Sequence, residues 1–135
     1  YGTVMMTQAA IPHLLETKGF IVNMASSSAL GGQAWAAAYV SSKGAVLSFT
    51  KAIANEYGIK RLNCNAVCPG GIETPMVGGA QLPDNIDARL LTKAMLPDGY
   101  FAPASDVASA IAFLACEDAN HVNGDHLRLD GGLLS

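Results

Sequence analysis

The spacing of apolar positions changes along the chain and marks out its elements. In Thr3–Glu16 the apolar residues Val4, Ile11 and Leu15 share a face with Gln8, which is a helical period. Pro12 predicts a kink in that helix, and Lys18-Gly19 predicts its end. Phe20–Ala25 (FIVNMA) is a short β-capable run and reads as a buried strand. Ser26 to Ala38 is small, glycine-bearing and loop-like. From Tyr39 to Tyr57 the helical period returns, with Tyr39, Lys43, Val46, Thr50, Ile53 and Tyr57 on one stripe and Gly58 as the stop. Arg61–Cys68 (RLNCNAVC) is a second strand, closed by Pro69-Gly70-Gly71. Ile72 to Pro103 is a long irregular connection with a weak helix over Asp84–Met95, and connections of this length commonly carry function. Ser105 is placed as the N-cap of a helix carrying Val107, Ile111 and Leu114. Asn123-Gly124 predicts a turn, and His126–Asp130 a third strand.

Helices alternating with strands predict an α/β fold with a parallel sheet and right-handed crossovers. Ligands of such sheets bind beyond the carboxyl ends of the strands. The segments to inspect are therefore Ser26-Ser27-Ser28, Pro69-Gly70-Gly71-Ile72 and Gly131-Gly132.

Composition narrows the function. The chain has 135 residues, half of them hydrophobic and 14% charged, which excludes intrinsic disorder and fits one domain. Eight Lys+Arg against eleven Asp+Glu give a net charge of −3 with no basic cluster, which argues against nucleic-acid binding. Gly19–Ser42 holds no charged residue, but its five serines, Asn23 and Gln33 make it buried interior and site wall rather than a membrane span. Cys64, Cys68 and Cys116 lack CxxC spacing and read as free thiols of a reducing, cytoplasmic compartment. Cys64 and Cys68, four apart in a strand, face one side. His13, His121 and His126 are scattered, so no metal site is expected.

The chemistry gathers after the first strand. Tyr39 and Lys43 lie four apart on a helix and share a face. A free tyrosine is a poor base at neutral pH, and a nearby ammonium favours its phenolate, so Tyr-x-x-x-Lys is a workable acid/base unit. Ser26, at a strand end, supplies a hydroxyl that polarises a substrate carbonyl. A serine hydrolase is excluded by pattern: Val40 stands three residues before Lys43, and no Gly-x-Ser-x-Gly occurs.

The whole constellation is VNMASS, a thirteen-residue offset from Ser26 to Tyr39, YVSSKGAV, NAVCPGGIETPM, SDVASAIAFLA and a terminal LDGG. It resembles the short-chain dehydrogenase/reductase family, in the branch that holds 3-oxoacyl-carrier-protein reductases and many alcohol and steroid dehydrogenases. The resemblance covers essentially the entire chain. It implies an oxidoreductase that moves a hydride between NAD or NADP and a carbonyl or secondary-alcohol substrate. Ser26 would orient the substrate, Tyr39 would be the general acid/base, and Lys43 would support it and hold the nicotinamide ribose. Pro69 and Gly70 would approach the nicotinamide, Ile72 would bind its carboxamide through the main chain, and Thr74 would reach the carboxamide or pyrophosphate. Trp35, Met76, Tyr100 and Phe101 are candidate walls of the substrate pocket, with residues 72–103 as the substrate-binding loop. Ser27 and Ser28 are read as structural, Asn23 as a strand hydrogen-bonder, and Asp130 as the anchor of the terminal turn. The resemblance also implies a homodimer or homotetramer that pairs the helices at Thr3–Glu16 and Tyr39–Tyr57.

The sequence departs from the family at its start. No TGxxxGxG turn for the pyrophosphate occurs, and neither does the residue that separates NAD from NADP. The family's catalytic asparagine would fall just before Tyr1. The expectation is therefore the C-terminal half of a doubly wound Rossmann fold in three layers, α/β/α, as one partial domain over 1–135. Its first strand would be central in the complete sheet and would expose an edge here. The half by itself is expected to be inactive. The alternative is a truncated or non-catalytic half-fold that only binds partners.

Overall fold

A computed structural model describes residues 1–78 and 84–135. Helix α1 spans Gly2–Thr17, strand β1 Phe20–Met24, a short helix α2 Ser28–Gly31, and helix α3 Ala37–Tyr57. Strand β2 spans Asn63–Pro69, a short helix α4 Pro75–Gly78, helix α5 Ala104–Leu114, and strand β3 His126–Leu129. The three strands form one parallel sheet in the order β1-β2-β3, with Phe20 opposite Asn63 and Ala66 opposite His126.

Strand β2 is buried along its whole length, which suits the middle strand of a parallel sheet covered on both faces. Its alternate side chains enter two different cores. Cys64, Ala66 and Cys68 pack with Ile11 of α1 and Ile53, Ala54, Val46 and Leu47 of α3. Val67 packs on the other face with Val107 and Leu114 of α5 and with Ala119. The result is the expected α/β/α layering, and Cys64 and Cys68 share one side as predicted.

Several boundaries differ from the expectation, each for a physical reason. Helix α1 runs unbroken through Pro12, and its buried residues are Thr7 and Ile11, with Leu14 and Leu15 packed beside them. Of the expected face, Ile11 and Leu15 are in the core, whereas Val4, 44% exposed, and Gln8 are not covered. The loop expected over Ser26–Ala38 contains α2, and α3 begins at Ala37, two residues ahead of Tyr39. Gly58 caps α3 directly after Tyr57, as expected, but not in a left-handed turn. Its φ is −58°, it opens a 3-10 turn, and Arg61 takes the left-handed position at φ 65°. Position 58 is tight, because a Cβ there would stand 3.0 Å from the Asn123 amide nitrogen. Ser105 is not the N-cap of α5. Pro103 holds that place, and Ser105 lies inside the first turn. The weak helix over Asp84–Met95 is a 3-10 helix over Ala88–Lys93, with the Asp87 carboxylate accepting from the Arg89 N–H. Residues 79–83 of the expected substrate loop lie outside the described residues.

The segment leading into β3 is pinned by asparagines. Buried Asn63 donates to the carbonyls of Ala119, Asn120 and Val122. Asn65, 1% exposed, donates to the Val122 carbonyl at 2.7 Å and accepts from the Asp125 N–H at 3.1 Å. Asn123 accepts the Cys64 N–H at 2.8 Å, tying the expected turn to β2. Asn65→Leu removes both side-chain bonds and leaves the Val122 carbonyl without this partner. The expected cost is about 1–2 kcal/mol, read as a lower urea midpoint with an unchanged m-value.

Burial gives one thiol a pH signature. It pushes the Cys64 thiol from 9.0 up to about 11. The Cys68 thiol is also raised by burial, partly offset by the Ser26 backbone N–H. Above pH 9 the unfolded chain loses the Cys64 proton while the folded chain keeps it. The stabilisation is thus complete below 9.0 and is lost as pH rises toward about 11. Stability should fall by up to about 1.4 kcal/mol per pH unit across that window. Denaturation curves at about pH 8 and about pH 10 measure the slope. Cys64→Ala should flatten it, and an unchanged slope in that variant would assign the effect elsewhere.

Candidate active site

Strand β1 ends at Met24, and the chain continues beside β2: the Ala25 N–H donates to Val67 O and the Ser27 N–H to Pro69 O. This places Ser26 at the carboxyl edge of the sheet, where the fold predicts a ligand. Ser26 is 9% exposed. Its Oγ lies 2.8 Å from the Ser28 Oγ and accepts the Ser28 N–H at 3.2 Å.

Helix α3 brings its first turn to the same edge. The Lys43 ammonium stands over the Tyr39 ring, 5.8 Å from its centroid. It also donates to the Met24 carbonyl at 3.0 Å, two residues before Ser26. One lysine therefore links the tyrosine to the end of the strand that carries the serine. The helix itself is seated from below. Asn23, buried in β1, donates to the Thr50 Oγ1 at 2.9 Å, and Thr50 donates to the Val46 carbonyl. Asn23 is thus the hydrogen-bonder expected, with partners on α3 and, through the Cys64 Sγ at 3.6 Å, on the neighbouring strand β2.

The Tyr39 side is open, with the residue 40% exposed, and its hydroxyl has no protein partner among the described residues. The ammonium of Lys43 carries three donors, and one of them is occupied by Met24.

The second strand end supplies a backbone edge. Pro69 is buried, and its carbonyl accepts the Ser27 N–H. Gly70 is needed because a Cβ would sit 2.9 Å from the Asp130 Cα. This is a packing reason beside the cofactor approach that the resemblance implies. Ile72 forms a parallel bridge with Ala102: the Ala102 N–H donates to Gly71 O and the Glu73 N–H to Ala102 O. These bonds belong to the residues flanking Ile72. The N–H and C=O of Ile72 itself therefore point to the opposite edge. Thr74 is exposed, and its carbonyl accepts the Val77 N–H.

The candidate pocket residues separate. Trp35 is 46% exposed and held at φ 57°, a left-handed conformation uncommon for a bulky residue. Met76 is 74% exposed on α4. The Phe101 ring covers Gly71, where a Cβ would stand 2.8 Å from it, so Phe101 has a packing role. Tyr100 lines a small cavity of about 30 Å3 with Gly71, Leu96 and Gly131. A larger cavity of about 340 Å3 lies between α2 and the C-terminal tail, lined by Leu30, Gly31, Arg128 and Leu133–Ser135. None of the candidate catalytic residues lines it. Asp130 anchors the terminal turn as expected, accepting from the Gly132 and Leu134 N–H groups. Among the described residues, no three His, Cys, Asp or Glu side chains gather as a metal site, and no helix is long and apolar enough to cross a membrane.

Sequence reasoning did not foresee the Met24 tether of Lys43 or the bond between Ser26 and Ser28. The first involves a backbone carbonyl and leaves no trace in residue type. The second had a signal in the Ser-Ser-Ser run, but Ser28 was expected only to be structural.

A parallel α/β/α half-sheet with its polar constellation at the carboxyl edge is one half of a doubly wound Rossmann-type domain. A family profile described as enoyl-(acyl carrier protein) reductase matches residues 1–134. The chain is 41% identical over 133 residues to meso-2,3-butanediol dehydrogenase of Serratia marcescens, covering 97% of this chain and 51% of that protein. It is 44% identical over 131 residues to 2-(R)-hydroxypropyl-CoM dehydrogenase of Xanthobacter autotrophicus, covering 96% and 52%. It is 35% identical over 134 residues to the 3-oxoacyl-[acyl-carrier-protein] reductase of Thermotoga maritima, covering 98% and 53%. The chain belongs to the short-chain dehydrogenase/reductase family, whose members use NAD or NADP. It spans about half the length of these curated relatives.

Proposed function

We propose that this chain carries the catalytic half of an oxidoreductase that transfers a hydride between NAD(P)(H) and a carbonyl or secondary alcohol. The observation that carries the reading is the single lysine, Lys43, set over the Tyr39 ring and bonded to the strand end beside Ser26. The chain's own groups fit the nicotinamide part of the cofactor. The two remaining donors of Lys43 suit ribose hydroxyls. The outward N–H and C=O of Ile72 match an amide that both donates and accepts. Pro69, Gly70 and Thr74 border the same edge.

When bound, the nicotinamide supplies or accepts the hydride. Tyr39 gives its phenolic proton to the substrate oxygen in reduction and takes it back in oxidation. The Ser26 hydroxyl donates a hydrogen bond to the same oxygen and polarises the carbonyl. The Lys43 ammonium, fixed by Met24, stabilises the negative charge left on Tyr39. In reduction the carbon gains the hydride, the oxygen gains the proton, and a secondary alcohol results. Trp35 and Met76, both exposed near the segments that follow β1 and β2, are proposed as substrate contacts together with Tyr100.

We further propose a reducing, cytoplasmic setting, in keeping with three free cysteines. A homodimer or homotetramer through α1 and α3 is supported by the exposed Met5 and Met6 and by the exposed small residues Ser41, Ala45 and Ser48.

The test is stoichiometric. A protein of the relatives' length that contains this chain is expected to consume one NADH or NADPH per alcohol formed from a panel of ketones and 3-oxoacyl thioesters. The 135-residue chain alone, which lacks a glycine-rich pyrophosphate turn, is expected to consume neither. Absence of cofactor oxidation by the longer protein across the panel would sink the reading.

A further inference from the structure

Ser28 holds a position that the proposed reaction makes consequential. It is 5% exposed and is the first residue of α2, with Ser27 at the N-cap. Both of its donor groups reach Ser26, while its carbonyl accepts the Gly32 N–H. The Ser28 N–H donates to the Ser26 Oγ at 3.2 Å, and the two hydroxyl oxygens lie 2.8 Å apart. No other side-chain partner holds the Ser26 Oγ among the described residues.

A hydroxyl has one proton to donate and two lone pairs to accept. The bond between the two serines can run either way. If Ser26 donates to Ser28, its proton is occupied, and it cannot donate to a substrate oxygen. If Ser28 donates to Ser26, both lone pairs of Ser26 are filled by Ser28, one by the N–H and one by the O–H. The Ser26 proton is then left for a third partner. Arrival of a substrate oxygen selects the second arrangement, because only that one lets every donor find an acceptor.

We propose that Ser28 is a positioning residue that sets the direction of the Ser26 hydroxyl, so that its proton faces the substrate oxygen. This rests on the oxidoreductase reading above. The rotation that presents the proton is confined to two hydroxyls, and α2 fixes the acceptor geometry. Backbone contacts keep α2 in place: the Ser27 N–H is bonded to Pro69 O at 2.8 Å, and Ser27 O accepts the Leu30 N–H at 2.9 Å. Neither contact involves the Ser28 side chain, so removing its hydroxyl leaves the short helix standing.

The experiment is a double-mutant cycle with Ser26→Ala and Ser28→Ala in the longer protein, with kcat and KM measured for one ketone substrate. Ser28→Ala is expected to lower kcat and kcat/KM together by about five- to tenfold, with KM unchanged, because the lost interaction matters where charge develops on the oxygen. In the Ser26→Ala background the same substitution is expected to have no further effect. Ser28→Thr, which keeps a hydroxyl, is expected to recover most of the activity. If Ser28→Ala does not fold, Ser28→Cys keeps the shape with a weak donor and reads the same quantity. An unchanged kcat in Ser28→Ala, or an equal loss in both backgrounds, overturns the proposal while an active parent leaves the functional reading intact. A parent with no turnover overturns the functional reading and this inference with it.

Discussion

Tyr39→Phe in a protein of the relatives' length is expected to lower kcat about a thousandfold, within the range seen for removal of a general acid/base. Cofactor affinity should change by less than about threefold, since uniform binding is retained. The structure explains why the substitution is selective. The phenyl ring keeps its place under the Lys43 ammonium, so the cation–π contact at 5.8 Å survives. The lysine keeps its bond to Met24. The phenol hydroxyl has no protein partner among the described residues, so its removal orphans nothing and should leave the melting temperature unchanged. Stopped-flow measurement of NAD(P)H consumption, together with cofactor titration, checks both halves. A variant that retains more than about a tenth of the parent kcat would assign proton transfer to another group.

Leu62→Ala is expected to have the largest effect on stability, about 2–5 kcal/mol. Leu62 is fully buried just before β2 and closes the core between the sheet and helices α1 and α3, against Ile11, Ile53, Ala54 and Cys64. Its neighbours come from three separate elements fixed by their own hydrogen bonds, so the cavity cannot collapse cheaply. Urea denaturation of parent and variant measures the loss. The variant's kcat should stay close to that of the parent while it remains folded, because no group of the site touches Leu62. A loss below about 1 kcal/mol would mean that the core relaxes around the missing atoms.

Much of this site was legible because its chemistry is coded in residue type at fixed spacing. Tyr39 and Lys43 share a helical face in any α-helix, since four residues make about one turn. Cys64 and Cys68 share a strand face because the strand repeats every second residue. Other features were not legible. The period placed Val4, Gln8, Ile11 and Leu15 on one buried face of α1, and only Ile11 and Leu15 are in the core, because how much of a face is covered depends on where the sheet lies. Gly58 caps α3 where the stop was expected, but its helical φ of −58° and its closeness to the side chain of Asn123, 65 residues further along, could not be read from residue type. Ser105 was read as a cap from its type, although Pro103 already has the extended backbone that starts α5.

The sequence by itself determined the order of the main elements, the parallel α/β class and the resemblance to the family, and it singled out Ser26, Tyr39 and Lys43 as the trio proposed to react. The elements and the fold class follow from local periodicity, and the family and the trio from motifs that resemble a known family; both are properties of residues near one another in the chain. Only the tertiary structure decided that Lys43 is tied to Met24, that Ser28 reaches Ser26 with both its N–H and its hydroxyl, that Phe101 covers Gly71, and that Asn63 and Asn65 pin the approach to β3. The reason is physical. Most of these contacts join segments remote in sequence or depend on backbone groups, which every residue carries alike. Only packing determines which backbone group a side chain meets.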